Sequence, residues 1–163
     1  MNVTLRKVML KDKTVLWKLL QFALYDSSFY VENVLDKEAT YKYRWFENYF
    51  TDSNRAAYII EDDKQDILGF TMINSNLQLP HDTKAQSVAE FLVLPQYRKQ
   101  HIGKQVAFML WDMYQGEWEV EPMKGNEGAY KFWEKIIKEY SECNYIKYKL
   151  DNGQDIFVFK SRK

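Results

Sequence analysis

Apolar residues in the first part of the chain recur with two different periods, and each period predicts a different element. Residues Val3 to Met9 alternate between apolar and polar, which is typical of a strand. The stretch "KDKTVLWKLLQFALYD" repeats apolar residues at helical spacing and predicts an amphipathic helix that Asp12 caps. The stretch "DKEATYKYRWFENYF" predicts a second, aromatic-rich helix that begins after Asp36. The buried face predicted for the first helix consists of Leu16, Leu19, Leu20, Ala23 and Leu24.

The middle of the chain has the pattern of consecutive strands. The stretches "AAYIIED" and "DILGFTMI" are separated by the polar turn "DDKQ", which predicts a hairpin. Pro80 interrupts the chain, and "AQSVAEFLVL" then predicts a long central strand.

The last third returns to helical spacing twice. Residues Gln100 to Tyr114 predict a helix that Gly116 ends, and "EWEVEP" alternates strictly, as a strand does. A further helix follows Asn126, whose side chain suits an N-cap. The stretches "YIKYKL" and "DIFVF" predict two strands around the turn "DNGQ". The predicted apolar stripe of the earlier helix is Ile102, Val106, Met109 and Met113, and that of the later one is Ala129, Phe132, Trp133, Ile136, Ile137 and Tyr140.

The resulting order, β-α-α-β-β-β-α-β-α-β-β, predicts the fold class α/β (α+β), with a mixed, mostly antiparallel sheet flanked by helices. A chain of 163 residues suits one domain, so we expect a single domain over residues 1–163.

The charge balance and the cysteine content limit which partners and which cellular compartment we expect. Lys plus Arg equals Asp plus Glu, 23 against 23, which argues against the large basic face of a nucleic-acid-binding protein. A lone cysteine, Cys143, forms no internal disulfide and fits a reducing compartment. We find no signal peptide and no apolar run of membrane-spanning length. These features predict a soluble cytoplasmic protein without a nucleic-acid or membrane partner.

Four potentially cationic residues crowd the junction between the central strand and the next helix: Arg98, Lys99, His101 and Lys104. A helix N-terminus presents unpaired N–H groups and a partial positive charge, and it can therefore hold a phosphate. The junction has two interpretations from the residues alone, namely an anion site or a set of solvated basic side chains.

The stretch "VAEFLVLPQYRKQHIGKQVAFML" resembles the acyl-CoA-binding segment of the GNAT superfamily of N-acetyltransferases. The signature of that family is R/Q-x-x-G-x-G/A, and the chain matches it at Arg98 and Gly103 but has His101 at the first glycine. The stretch "KGNEGAYKFWEKI" is similar to a second family motif through Asn126 and Ala129. The predicted element order is also similar to that of the GNAT fold.

The resemblance implies acetyl-CoA as the co-substrate. In the family the central strand splays from its neighbour, its main chain pairs with the pantetheine arm, and the signature loop holds the pyrophosphate. The resemblance carries these roles to Leu92, Val93 and Leu94 for pantetheine, to Arg98, Lys99, Gln100, His101, Ile102, Gly103 and Lys104 for the pyrophosphate, and to Asn126 and Trp133 for further cofactor contacts.

The reaction that the resemblance implies is direct transfer of the acetyl group to a neutral amine, which needs a base. Glu90, the one charged residue in "VAEFLVL", is the candidate base; a solvent-exposed or lysine-paired Glu90 is the alternative. Where the family commonly has a tyrosine acid the chain has Trp133, so Tyr130, one turn earlier, is the candidate acid, although a core role fits it as well. His81 and His101 are too few to predict a metal site.

The acceptor is expected to be a small-molecule or peptide amine, and a homodimer stays open. Aromatic residues dominate the two predicted N-terminal helices, with Asp26, Glu32, Glu38 and Glu47 interleaved, and such a wall suits a cationic amine unless these rings form the core. A non-catalytic acyl-CoA-binding or regulatory module is the alternative function.

Overall fold

The computed structural model of the protein describes residues 2–162, and its helices and strands follow the predicted order with one exception. The ten elements are β1 (Val3–Lys7), α1 (Lys13–Ser27), β2 (Arg55–Asp62), β3 (Ile67–Asn74), β4 (Ala85–Val93), α2 (Ile102–Met113), β5 (Glu117–Val120), α3 (Glu127–Tyr140), β6 (Tyr145–Lys149) and β7 (Asp155–Lys160). Short 3₁₀ turns cover Leu10–Asp12, Glu47–Phe50 and Pro95–Tyr97.

The strands form one mixed seven-stranded sheet in the order β1-β2-β3-β4-β5-β7-β6. The pairs β1/β2, β5/β7 and β6/β7 are antiparallel, whereas β4/β5 is parallel. The parallel register covers Ala85–Ser87 against Glu117–Glu119, and β4 continues beyond it to Val93. The predicted fold class is therefore confirmed: a mixed sheet with three α-helices.

The chain divides into two compact units. The first contains Met1–Ile73 and Ala89–Gly103, and the second contains Asn74–Val88 and Lys104–Lys163. In the first unit, α1 buries the predicted face, Leu16, Leu19, Leu20, Ala23 and Leu24, in a core that also contains Phe46, Ile59, Phe70, Met72 and Leu92. Aliphatic and aromatic burial of this kind is the main stabilising term of such a unit.

The predicted second helix after Asp36 is wrong. The segment forms turns, and only Glu47–Phe50 is helical, as a 3₁₀ turn. The Asp36 carboxylate accepts the main-chain N–H groups of Glu38 and Thr40 (2.9 and 3.0 Å), and Ala39 has a φ of 57°. The Gln21 side chain bonds both main-chain groups of Tyr41 (2.7 and 3.0 Å). These side chains satisfy main-chain groups that a helix would have used.

The second unit has an aromatic core in which Trp111 contacts Phe159 and Tyr140 at ring-centroid distances of 4.7 and 4.9 Å. The predicted stripe of α2 is correct at Ile102 and Val106, but Met113 is 48% exposed. The buried face shifts instead to Ala107, Leu110 and Trp111.

Of the residues predicted to begin or end a helix, Asn126 and Gly116 act as predicted, whereas Asp12 does not. The Asn126 Oδ1 accepts the Ala129 N–H at 2.9 Å, so the predicted cap of α3 is confirmed. The Asp12 side chain does not cap α1; it accepts the Met9 N–H at 2.9 Å and pairs with Arg6. Gly116, placed after α2 as predicted, has a φ of 129°, and a Cβ there would lie 2.2 Å from the Lys84 carbonyl oxygen. Only glycine fits that approach.

Candidate functional site

Glu90 lies on β4 in the first unit, and its side chain is mostly removed from water. Burial raises the pKa of Glu90 to about 7, against the opposing effect of a hydrogen bond from Tyr43. The main-chain carbonyl oxygen of Glu90 accepts a hydrogen bond from the Thr71 hydroxyl at an Oγ1–O distance of 2.9 Å, which fixes the strand at this residue. A carboxyl group with a pKa near neutrality is suited to accept a proton at neutral pH.

Tyr43 is the partner of Glu90 that the sequence interpretation missed. Its ring packs against the core of the first unit. Burial, followed by the negative charge of Glu90, raises the pKa of Tyr43 far above its usual value. Tyr43 therefore stays a neutral hydrogen-bond donor. The sequence signals only an aromatic-rich stretch, with nothing to distinguish this ring from its neighbours.

The main chain of Leu92 to Leu94, predicted to meet pantetheine, passes close to β3. The Leu92 carbonyl oxygen would lie 2.0 Å from a Cβ at residue 69, so Gly69 is required there. The Leu94 N–H donates to the Leu68 carbonyl oxygen at 2.8 Å. The Val93 carbonyl oxygen accepts the Arg98 Nε at 2.8 Å. Several main-chain groups of this segment thus already have protein partners.

The signature loop has an unusual backbone at two non-glycine residues. Lys99 and His101 have φ angles of 61° and 63°, in the left-handed region that favours glycine. His101 therefore adopts the conformation that suits the first glycine of the family signature, and histidine is among the residues that tolerate it. Gly103 instead lies in the first turn of α2. Turns with such residues can direct successive N–H groups to one side, which is an anion-binding arrangement that fits a pyrophosphate.

Arg98 makes two contacts that hold the loop to the rest of the first unit. Besides its bond to Val93, its guanidinium pairs with Asp26 at 3.0 Å, near the end of α1. Both side chains are about half exposed, so the ion pair by itself adds little stability. In the second unit, Lys104 is paired with Glu139 and lies 5.5 Å from the Phe108 ring centroid.

Asn126 and Tyr130 lie together in the second unit, at a cavity of about 450 Å³. The cavity is lined by the loop between β5 and α3, the start of α3 and the turn between β6 and β7. The Tyr130 hydroxyl donates to Asp155 at 3.0 Å and accepts from Lys147 at 3.0 Å.

Trp133 is buried in the core of the second unit. Its ring centroid lies 5.0 Å from that of Phe132 and 6.3 Å from that of Trp111. Trp133 therefore contributes to the aromatic core, and its contact with the cofactor stays a prediction.

The aromatic wall expected for the acceptor already holds cations of the protein itself. The Arg55 guanidinium lies over the Trp45 and Tyr49 rings, at 5.2 and 5.5 Å from their centroids. Arg44 lies 4.6 Å from the Trp45 centroid. At these two rings, cation–π contacts are thus made within the protein itself.

A second polar cluster, which the sequence interpretation missed, lies in the second unit around His81. The His81 ring is placed between Glu117 and Glu119, with its Nδ1 2.5 Å and its Nε2 2.8 Å from their carboxylate oxygens. Glu119 is fully buried and also accepts the main-chain N–H groups of Gln78 and Leu79, each at 2.9 Å. The alternation of "EWEVEP" indicates the polar face, but no local pattern connects it to His81. Among residues 2–162, no group of three or more His, Cys, Asp or Glu side chains is arranged to hold a metal.

No helix within the described residues is long and apolar enough to cross a membrane.

Comparisons with known proteins agree with this architecture. An acetyltransferase of Thermus thermophilus superposes with a TM-score of 0.71, at 13% identity over 98% of this chain and 97% of that chain. A GNAT-family acetyltransferase of Staphylococcus aureus gives a TM-score of 0.63, at 15% identity over 98% and 99% of the two chains. A chimera of the spermidine N-acetyltransferase SpeG from Vibrio cholerae and hSSAT gives 0.61, at 11% identity over 99% and 96%. At these identities the structures show a shared fold. No curated protein matches significantly by sequence.

The sequence itself also matches a family model. The model of the acetyltransferase (GNAT) family matches residues 19–137, more than half of the chain and including Glu90, the signature loop and Asn126. The chain belongs to the GNAT acetyltransferase family.

Proposed function

We propose that the protein is an N-acetyltransferase that moves an acetyl group from acetyl-CoA directly to an amine acceptor, with residues 1–163 acting as one domain. The observation that carries the proposal is the position of Glu90, which lies partly buried on the strand that leads directly into the signature loop and whose pKa burial raises to about 7. A protein that only binds acyl-CoA has no need of a carboxylate prepared to accept protons.

The co-substrate is assigned to the residues that carry the family resemblance. The loop from Arg98 to Lys104 would hold the pyrophosphate, and its left-handed residues and helix N-terminus suit an anion. The main chain of Leu92, Val93 and Leu94 and the Asn126 side chain would meet the pantetheine arm. Bound acetyl-CoA supplies an activated thioester.

Glu90 then accepts the proton of the attacking amine, directly or through water, so that the amine attacks in its neutral form. The nitrogen forms a bond to the thioester carbonyl carbon, the carbon–sulfur bond breaks, and the thiolate leaves. Tyr130, with Lys147 on its hydroxyl, is the candidate donor of the proton that the thiolate takes up.

The test is acetyl-CoA-dependent release of CoA thiol across a panel of amines. The panel includes spermidine, because the fold is shared with spermidine N-acetyltransferases, together with lysine, peptides with free N-termini and aminoglycosides. Turnover with at least one amine supports the proposal. Tight binding of acetyl-CoA with no transfer to any amine would favour the acyl-CoA-binding module instead.

The cofactor placement has its own test. Reversing both cations with Arg98→Glu and Lys104→Glu should weaken acetyl-CoA binding at least tenfold by calorimetry, because negative charge opposes the pyrophosphate. Asp26→Asn is the control, since it removes the partner of Arg98 but leaves both cations, and it should not weaken binding. Unchanged affinity in the doubly reversed protein contradicts the placement.

A further inference from the structure

We propose that His81, Glu117 and Glu119 form a pH-sensitive latch between β5 and residues 75–84, the segment that connects β3 to β4. The charged imidazole holds both carboxylates, and the neutral imidazole lets go of Glu117, which loosens the segment. All three residues lie in the second unit, and none has a role in the proposed acetyl transfer.

The His81 ring contacts a carboxylate at each of its two nitrogens. Nδ1 lies 2.5 Å from Glu117 Oε2, and Nε2 lies 2.8 Å from Glu119 Oε1. An ionised carboxylate only accepts hydrogen bonds, whereas a neutral imidazole carries a single N–H. Both contacts are therefore hydrogen bonds from the ring only when both nitrogens carry a proton, that is, when the imidazole is charged.

The surroundings of the ring agree with this placement of the proton. The His81 side chain is 4% exposed, so burial acts to lower its pKa, but the hydrogen bonds and negative charge of Glu117 and Glu119 outweigh burial and raise the pKa above 6.5. From β7, Lys160 approaches the latch through Glu117, with its Nζ 3.8 Å from Oε1. Glu121, beyond the end of β5, has its pKa raised by burial and then by the charge of Glu119. The latch is thus closed below the raised pKa of His81 and opens as the pH increases through it.

The two carboxylates differ in what they can do when the imidazole loses its proton. Glu119 is fully buried and accepts the main-chain N–H groups of Gln78 and Leu79, so it retains the one N–H left on the ring, at Nε2. The Glu117 side chain is 18% exposed and has water and Lys160 as other partners. The Nδ1 contact is therefore the one that opens, because two lone pairs would face each other there.

The position of Glu117 makes this opening a change in the sheet. The parallel register of β4 with β5 covers three residue pairs, Ala85–Ser87 against Glu117–Glu119. Just before it, the Glu117 N–H donates to the Lys84 carbonyl oxygen at 3.0 Å. The contact between His81 and Glu117 therefore holds the chain that enters β4 to the first residue of β5, and its loss loosens one end of a short strand pair.

Nitrogen NMR of the imidazole rings tests the charge state directly. The chain has two histidines, His81 and the exposed His101, and His81→Gln identifies the signals of the first by their loss. At about pH 6, below the ordinary imidazole pKa, the His81 ring should carry a proton on both nitrogens. At higher pH it should become the tautomer with the proton on Nε2. A neutral His81 ring at about pH 6 overturns the latch.

Hydrogen exchange of the Gln78 and Leu79 N–H groups tests the release. After correction for the intrinsic exchange rate, their protection should fall about tenfold between about pH 6 and about pH 9, as expected for one lost hydrogen bond to a charged group. In Glu117→Gln this pH dependence should disappear, because the amide can donate to the neutral Nδ1 or accept from the charged ring. Asp82→Asn, which removes an exposed carboxylate of the same segment, is the matched control and should keep the pH dependence.

Equal protection at both pH values in the parent protein overturns the latch, and so does a pH dependence that persists in Glu117→Gln. If Glu117→Gln does not fold, His81→Gln carries the test. Its amide still donates to Glu119 but does not titrate, so protection should no longer depend on pH, and a remaining tenfold fall contradicts the latch. None of these measurements requires acetyl transfer, so their outcome is separate from that of the proposed function.

Discussion

Two glutamates of the sheet, the partly buried Glu90 on β4 and the fully buried Glu119 on β5, have different surroundings. Burial raises the pKa of Glu90 to about 7, against the opposing effect of a hydrogen bond from Tyr43. Glu119 receives two main-chain N–H groups and contacts an imidazole that Glu117 also contacts. The pKa of the first carboxyl group lies near neutrality, whereas both oxygens of the second carboxyl group accept hydrogen bonds from the protein.

The difference teaches that burial of a carboxyl group does not by itself identify a catalytic acid or base. What distinguishes the two glutamates is whether the partners satisfy the negative charge fully. Glu119 holds the loop that precedes β4, through Gln78, Leu79 and His81, so its bonds serve the structure of the second unit. Burial is the largest influence on the pKa of Glu90, and Glu90 is therefore the better candidate for the proposed base.

The same substitution at both sites sharpens the comparison, and the larger effect is expected at Glu90. Glu90→Gln removes the base and should lower turnover on the order of 10²-fold, equivalent to about 2.7 kcal/mol, with little change in acetyl-CoA affinity. Thermal stability at neutral pH should not fall, because a neutral amide replaces a carboxylate that burial disfavours. Steady-state kinetics and calorimetry measure both, and equal pH–rate profiles for mutant and parent would dismiss the base.

Glu119→Gln should show the opposite behaviour. It replaces a carboxylate that accepts two N–H groups and a His81 bond by an amide with one acceptor oxygen, so the free energy of unfolding should fall by roughly 2 kcal/mol. Turnover per folded molecule should stay within about twofold of the parent. Chemical denaturation and active-site-normalised rates check these outcomes. A stable but inactive Glu119→Gln protein would reverse the roles given to the two glutamates.

The free energy of unfolding should depend on pH in different ranges for His81 and for Glu90. Although burial lowers the pKa of His81, hydrogen bonds and negative charge from Glu117 and Glu119 outweigh it, and its pKa is raised above 6.5. His81 therefore stabilises the fold fully below its unfolded pKa, and this contribution is lost as the pH rises through its folded pKa. The pKa of Glu90 is raised from 4.5 to about 7. Its effect is therefore to lower the free energy of unfolding as the pH rises from 4.5 to about 7.

Denaturation curves from pH 4.5 to 8.5 test both signs. Glu90→Gln should flatten the slope between pH 4.5 and 7, and His81→Gln should flatten it above pH 6.5. His81→Gln retains a donor for Glu119 and removes only the titration. If His81→Gln leaves the upper slope intact, the imidazole is not charged between its two carboxylates.

The smallest effect is expected at Tyr130, the candidate acid. Tyr130→Phe removes the hydroxyl that bonds Asp155 and Lys147, and turnover should fall less than about tenfold, since the thiolate can take its proton from water. Lys147→Met is the matched control, because it leaves the hydroxyl and removes the ammonium. Single-turnover thiol release measures the step directly, and its collapse in Tyr130→Phe with intact acetyl-CoA affinity would show that an enzyme acid is essential.

The sequence by itself determined the element order and the class of the sheet. Helical and strand periods are local, and in α1 the predicted and buried faces coincide residue for residue. The sequence also singles out the signature loop and Glu90 as candidates, since Glu90 is the one charged residue in an apolar strand, and these roles stay predictions. The Asn126 cap followed from residue type and position.

Only the tertiary structure decided the partners of these residues. The segment after Asp36 has a helical pattern, but Asp36 and Gln21 take its main-chain groups, and Gln21 lies on another element. His81 reaches Glu119 across a long stretch of chain. Contacts of this kind depend on which side chains the packed core brings together. A buried hydrogen bond between residues far apart in the chain stabilises the fold but produces no periodic pattern in the sequence.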